Sequence, residues 1–225
     1  MFKNDAFIKI LQIKPVFETE EYFCSQSIWE FAYKYQSLNR HWNLSKEFFT
    51  NYVSDLKSTN LPDSAELNDA YSETADVDVE HFPEYIRQST LAIALSLLEN
   101  MLNGLSLEIA EDQGIDVDLP DKNIPYINKY ILWFAQGCGI EIDINKSIWK
   151  SLDAIRTVRN RFIHQIDRDI PDQVQKVISE MAASSVDSKH LVNDEFVDVS
   201  LKKLAEIAKN VELAHISYFQ NQHGK

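Results

Sequence analysis

From Glu84 to about Glu111 the apolar side chains return every three or four residues, at Ile86, Leu91, Leu95, Leu98, Leu102 and Leu105. That spacing lines one face of an α-helix, and so long a stripe stays dry only where other elements cover it. Pro83 suits the first turn of such a helix, Gly104 weakens its last turns, and Gly114 and Pro120 lie beyond its end. Elsewhere the chain supplies helices as covering elements. Gly and Pro together account for 11 of 225 residues, whereas an average chain devotes about 12% of its residues to them. A sandwich or barrel of many short strands needs those turn residues. The expectation is an all-α protein.

Ahead of the central stripe, residues from Glu18 to Leu56 read as two helices with a break between Asn39 and Leu44. Ten of the 25 aromatic residues fall between Tyr22 and Tyr52. Their i, i+3, i+4 spacing marks an inward-packing face, with base stacking as the alternative. Lys57 to Pro83, rich in Ser, Asn and Asp, reads as a solvated loop that divides the chain into an N-terminal helical extension, 1–81, and a helical core, 82–225. After the stripe, a short helix is expected from Pro125 to Phe134, and another opens at Asp143 or Asn145 with Ile148, Leu152, Ile155, Phe162, Ile163 and Ile166 inward. Pro171 to Met181 forms a further short helix, and Asp187 to Glu195 a loop. A last helix is expected from Asp198 or Ser200 to about Tyr218, with Leu201, Leu204, Ile207, Ala208, Val211 and Ala214 in register.

With 22 basic against 35 acidic residues, the net charge of −13 repels phosphate at long range and argues against non-specific binding to nucleic acid or anionic membrane. The longest run free of charged and strongly polar side chains, Leu91 to Leu98, covers eight residues, where a bilayer span takes roughly twenty. The first residues lack the pattern of a signal peptide, so a soluble, cytoplasmic protein without membrane contact is expected. Cys24 and Cys138 form no C-x-x-C pair, and Cys138 between two glycines reads as a turn after a helix. His41, His81, His190, His215 and His223 have no companion at metal-ligand spacing, and the acidic run at 76–80 lacks the glycine of an EF-hand. Phosphate-loop, dinucleotide, zinc-protease and nucleophile-elbow motifs are absent, so neither a metal nor a cofactor is implied.

One segment departs from this average. Four of the six arginines, Arg156, Arg159, Arg161 and Arg168, stand within thirteen residues around His164. Guanidinium groups bind phosphate through a planar fork, and a neutral imidazole accepts a proton from a hydroxyl near neutral pH. The pair suits phosphodiester chemistry without a metal. The plain alternative is a basic helix face paired with surplus carboxylates.

Arg159-Asn160-x-x-x-His164 resembles the R-x(4–6)-H motif of the HEPN superfamily, in which a polar residue often follows the Arg. A second resemblance lies in the earlier helix, Arg87-x-x-Thr90-Leu91-Ala92-x-Ala94-x-Ser96-x-Leu98-Glu99, where HEPN proteins tend to place a small, apolar face and a Glu. The resemblance covers residues Phe82 to Tyr218. It implies an antiparallel four-helix bundle core with additional N-terminal helices, and a metal-independent endoribonuclease of toxin–antitoxin, antiviral or RNA-processing type. Arg159 and His164 then form the catalytic pair and Asn160 orients. Glu99 buttresses Arg159 or His164, or else stands at the solvent edge, and Arg156, Arg161 and Arg168 hold RNA backbone or form surface salt bridges. The implied partners are RNA, a second copy of the chain and a cognate antitoxin or inhibitor. The alternative is a HEPN-fold module that binds RNA or nucleotides, or dimerises, without cleavage.

Helix geometry sets a further condition. Arg159 and His164 are five residues apart, so on a straight helix their directions differ by about 140°. Either the helix ends or bends between them, or the site joins groups from two subunits; the resemblance implies the second.

Overall fold

A computed structural model describes residues 25–58, 65–121, 123–164, 171–182 and 192–223, and their side chains except at 56–78, 80, 162–164, 182 and 223. Six helices follow in order: α1 (Gln26–Ser58), α2 (Ala65–Gln113), α3 (Tyr126–Gly137), α4 (Lys146–His164), α5 (Asp172–Ala182) and α6 (Asp194–His223). No strand occurs among the described residues, and the protein is all-α.

Helix α1 opens on Ser25, whose Oγ accepts the Ile28 N–H at 3.2 Å, the usual duty of an N-cap. Its first turn is also held from outside: Glu108 of α2 accepts both the Ser27 N–H, at 2.9 Å, and the Ser27 hydroxyl, at 2.6 Å. A carboxylate there meets the positive end of the helix dipole. Gly104 makes this approach possible, because a Cβ at that position would overlap the Ser27 hydroxyl oxygen and lie 3.0 Å from the Ser27 Cβ. The glycine expected to weaken α2 therefore serves close packing, and the helix runs through it to Gln113.

The break expected between Asn39 and Leu44 is absent, and α1 is one helix of 33 residues. The Asn43 amide donates to the Asn39 carbonyl at 2.8 Å and the Ser45 hydroxyl to that of His41 at 2.9 Å. Polar side chains that favour turns here bond back onto the preceding turn, while Ile28, Phe31, Tyr35, Leu38 and Trp42 keep one buried face in register. The aromatic residues divide. Phe31, Tyr35 and Trp42 pack inward, but Trp29, Tyr33 and Phe48 are 49%, 66% and 55% exposed, so inward packing accounts for only part of the cluster.

The loop expected over Lys57 to Pro83 is also corrected. The backbone is helical from Ala65, and Pro83 lies inside α2 instead of at its start. Ala65, Glu66, Leu67, Ala70, Glu73 and Ala75 are good helix formers. The segment lies beside α1, with Phe49 and Phe82 ring centroids 5.6 Å apart. Pro83 removes one backbone donor, which a long paired helix tolerates at the cost of one rung. The 81/82 division falls within this helix. From His81 to Gln113, α2 is also long and apolar enough to cross a bilayer by length and composition, contrary to the count of eight residues. Its Leu91, Leu95, Leu98 and Leu102 are fully covered by protein.

Helix α6 starts at Asp194, earlier than Asp198 or Ser200, and continues past Tyr218 to His223. Asn193 Oδ1 accepts the Phe196 N–H at 2.8 Å, and Phe196 and Val197 are wholly buried. Between α3 and α4, Gly139 takes a φ of +70° in the turn, the left-handed conformation that glycine adopts without cost. Cys138 beside it is a free, half-buried thiol whose pKa burial raises, which leaves it unactivated.

Helices α2 and α6 form the centre of the molecule, joined by the Arg87–Asp194 ion pair at 2.6 Å and by a hydrogen bond between the Gln113 amide and the Tyr218 hydroxyl. These pairs place the two helices parallel. Antiparallel to both runs α1, where the Tyr35 hydroxyl donates to the Leu201 carbonyl at 2.6 Å and Trp42 Nε1 to Asp198 at 2.7 Å. Among the described residues helix α4 packs on α2 and α6 and does not touch α1, so α1 and α4 flank the central pair. Helix α3 closes against α2, and α5 against α4 and α6. One core runs through all six helices, from Ile28 to Val211.

Candidate functional site

Asn145 caps α4: its Oδ1 accepts the N–H groups of Ser147 and Ile148, both at 3.0 Å. The cap fixes the helix phase, and Ile148, Leu152, Ile155 and Val158 then face the core. That register leaves Arg156, Arg159, Asn160 and Arg161 half-buried along the flanks. His164 is the last helical residue of α4; its side chain, and Arg168 altogether, lie outside the described residues.

Arg159 reaches across to α2, where its Nη2 lies 3.5 Å from Glu99 Oε1, and the two side chains are 19% and 31% exposed. Glu99 therefore stands at the edge of the core with Arg159 as an ion-pair partner. Burial raises the Glu99 pKa, with the Arg159 charge acting in the opposite direction. Arg159 Nε is buried with no hydrogen-bond partner. At this separation the ion pair holds the guanidinium in place and leaves its other nitrogens uncommitted by Glu99.

Arg156 behaves differently. It bonds Asp153 one turn earlier at 2.6 Å, the i, i+3 geometry of a surface helix pair, with Asp153 56% exposed. Beside these residues is a cleft of about 210 Å³ between α2, α4 and the start of α3, lined by Glu99, Asn128, Trp149, Leu152, Asp153 and Arg156. Arg156 is the arginine of α4 that lines it, with one aromatic wall, Trp149, and a few polar groups.

Helix α3 contributes groups that no sequence motif signalled. The Tyr130 hydroxyl donates to Asn103 Oδ1 at 2.8 Å, one turn along α2 from Glu99. Burial, and then the nearby Tyr126 and Glu99, raise the Tyr130 pKa, so it remains a neutral donor. Glu99 and Asn103 thus receive α4 and α3 respectively on one edge of α2. Spacing along a single helix carries no signal for a bond that depends on helix–helix packing.

Another cleft, about 360 Å³, lies elsewhere and is lined by Glu141, Asp143, Asn210, Ser217 and Tyr218 among others. Its lining carries two carboxylates and no cationic side chain. Among the described residues no three His, Cys, Asp or Glu side chains gather in a way that would hold a metal ion. Comparison with protein-family models, with curated proteins and with solved structures gives no match.

Proposed function

We propose that the chain is a metal-independent endoribonuclease of HEPN type, with its reacting groups on the C-terminal half of α4. The observation that carries this reading is the Glu99–Arg159 ion pair, which holds a half-buried guanidinium on the helix that also carries His164. In the proposed reaction His164 accepts the proton of a ribose 2′-OH, and the oxygen attacks the adjacent phosphorus. The bond from phosphorus to the 5′-oxygen breaks, and that oxygen takes up a proton. The products are a 2′,3′-cyclic phosphate and a 5′-OH end. Proton transfer of this kind contributes about 10²–10⁴ in rate, and Arg159 stabilises charge developing on the phosphoryl oxygens. DNA lacks the attacking hydroxyl and is left intact.

Helix α4 is continuous from Lys146 to His164, which favours the two-subunit solution, since positions 159 and 164 on one helix point about 140° apart. The catalytic unit is accordingly a homodimer in which one motif faces another, with Asn160 orienting and Arg161 and Arg168 holding backbone. A second reading draws on the same ion pair: Glu99 neutralises much of Arg159, as suits a HEPN-fold module that binds RNA or nucleotides without cutting. Single-stranded RNA incubated in EDTA with wild type and with His164→Ala separates them. Cleavage by wild type alone, leaving cyclic phosphate ends, supports the nuclease; binding by both without cleavage supports the module; indifference of both to RNA refutes the pair.

A further inference from the structure

Glu99 belongs to two arrangements at once. Arg159 hydrogen-bonds its Oε1 at 3.5 Å, a long contact in which Oε2 has no part. The same side chain lines the cleft of about 210 Å³ between α2, α4 and the start of α3, together with Asn128, Trp149, Asp153 and Arg156. That volume falls below the roughly 300–1,000 Å³ of a site for a drug-sized ligand. It suits one planar ring system, and Trp149, half-buried on α4, supplies an aromatic wall for the face of such a ring.

Charge narrows the ligand further. The lining holds two carboxylates against one guanidinium, and Asp153 already bonds that guanidinium at 2.6 Å. A phosphate is disfavoured inside the cleft, and a neutral ring rich in N–H donors is favoured. The Arg156 Nε is buried with no hydrogen-bond partner, a donor whose desolvation an acceptor on the ligand offsets. An aromatic wall beside polar groups is how proteins hold an unstacked base of single-stranded RNA, by its face and its Watson–Crick edge. An ionised carboxylate only accepts hydrogen bonds. Among the four RNA bases, guanine alone offers two adjacent donors, N1–H and N2–H; adenine, cytosine and uracil each set an acceptor beside the donor.

We propose that this cleft holds a guanine base, with Glu99 accepting N1–H and N2–H, the Asn128 amide donating to O6, and Trp149 stacked on the ring. Its ligand class rests on the reading of this site as one for RNA; the binding itself is independent of cleavage. Because one carboxylate serves both the base and Arg159, the phosphate 3′ to the bound guanosine is the one that Arg159 meets.

The test uses the full chain and fluorescein-labelled deoxypentamers, thymine at the outer positions and guanine, adenine, cytosine, thymine or hypoxanthine at the centre, with anisotropy as the readout. These probes lack the 2′-OH and bind without being cut. Wild type is expected to bind the guanine probe about a hundredfold more tightly than the adenine, cytosine and thymine probes. Hypoxanthine differs from guanine only in lacking the 2-amino group, and its probe should lose about tenfold. Glu99→Gln is expected to abolish the preference for guanine, and Trp149→Ala to weaken every probe about tenfold; circular dichroism verifies the helix content of both variants. Guanine-selective binding without cleavage of RNA supports the proposal and refutes the nuclease. Equal binding of the guanine and hypoxanthine probes, a preference that survives Glu99→Gln, or no binding of any probe overturns the proposal, even where wild type cuts RNA.

Discussion

Gly104→Ala pits helix propensity against packing at one atom. In an isolated helix the change is favourable by about 1 kcal/mol. In this protein the new Cβ overlaps the Ser27 hydroxyl oxygen and sits 3.0 Å from the Ser27 Cβ. Rotating the hydroxyl away sacrifices its 2.6 Å bond to Glu108, a charge-assisted bond worth about 1.5–3 kcal/mol. Relieving the Cβ contact requires α1 to shift against α2, and overpacking of that kind costs about 1–3 kcal/mol. The balance is a loss of about 3 kcal/mol once the propensity gain is subtracted. Urea unfolding followed by circular dichroism gives the value directly. Ser27→Ala removes the clashing oxygen, so the double variant should cost at least about 1 kcal/mol less than the sum of the singles. A Gly104→Ala protein as stable as wild type, or strict additivity in the cycle, would refute the close-approach account.

Two further outcomes concern buried ionisable groups. Glu99→Gln removes the charge that holds Arg159, and cleavage of RNA should fall while circular dichroism stays at the wild-type level; unchanged cleavage would mean the ion pair has no part in the site. His215 is 6% exposed, and burial lowers its pKa from the ordinary 6.5 despite the opposing charges of Glu108 and Asp112. Below pH 6.5 the unfolded chain takes up a proton that the folded imidazole refuses, so this contribution to stability is lost as the pH falls through that value. His215→Leu should flatten the slope of stability below pH 6.5; an unchanged slope would place the proton uptake elsewhere.

The inward faces of α2, α4 and α6 were legible because burial imposes a 3.6-residue period on Leu91 to Leu105, Ile148 to Ile155 and Leu201 to Val211. The stretch from Ala65 to Phe82 was not, because its helix is supported by a neighbouring helix and its own residues show no apolar period. The start of α6 was misplaced for a related reason: Phe196 and Val197 are both buried, and adjacent buried positions read as loop when the cap at Asn193 goes unnoticed. The ion pair of Arg159 with Glu99 joins two residues that the sequence singled out separately, one from the motif and one from its place on the edge of an apolar face. Tyr130 and Asn103 could not be found in that way, since only the packing of α3 on α2 brings them within 2.8 Å.

Asp198 accepts Trp42 Nε1 at 2.7 Å and Lys46 Nζ at 2.7 and 2.9 Å, at the turn where α1 leaves the core. In mechanical language that carboxylate is a fulcrum and the stretch of α1 beyond it a lever. A load applied at Phe48 meets both these polar bonds to α6 and the ring contact of Phe49 with Phe82 of α2. The outer turns of α1 and α2 are thus both tied to the first turns of α6, α1 through Asp198 and α2 through the pairing of Arg87 with Asp194.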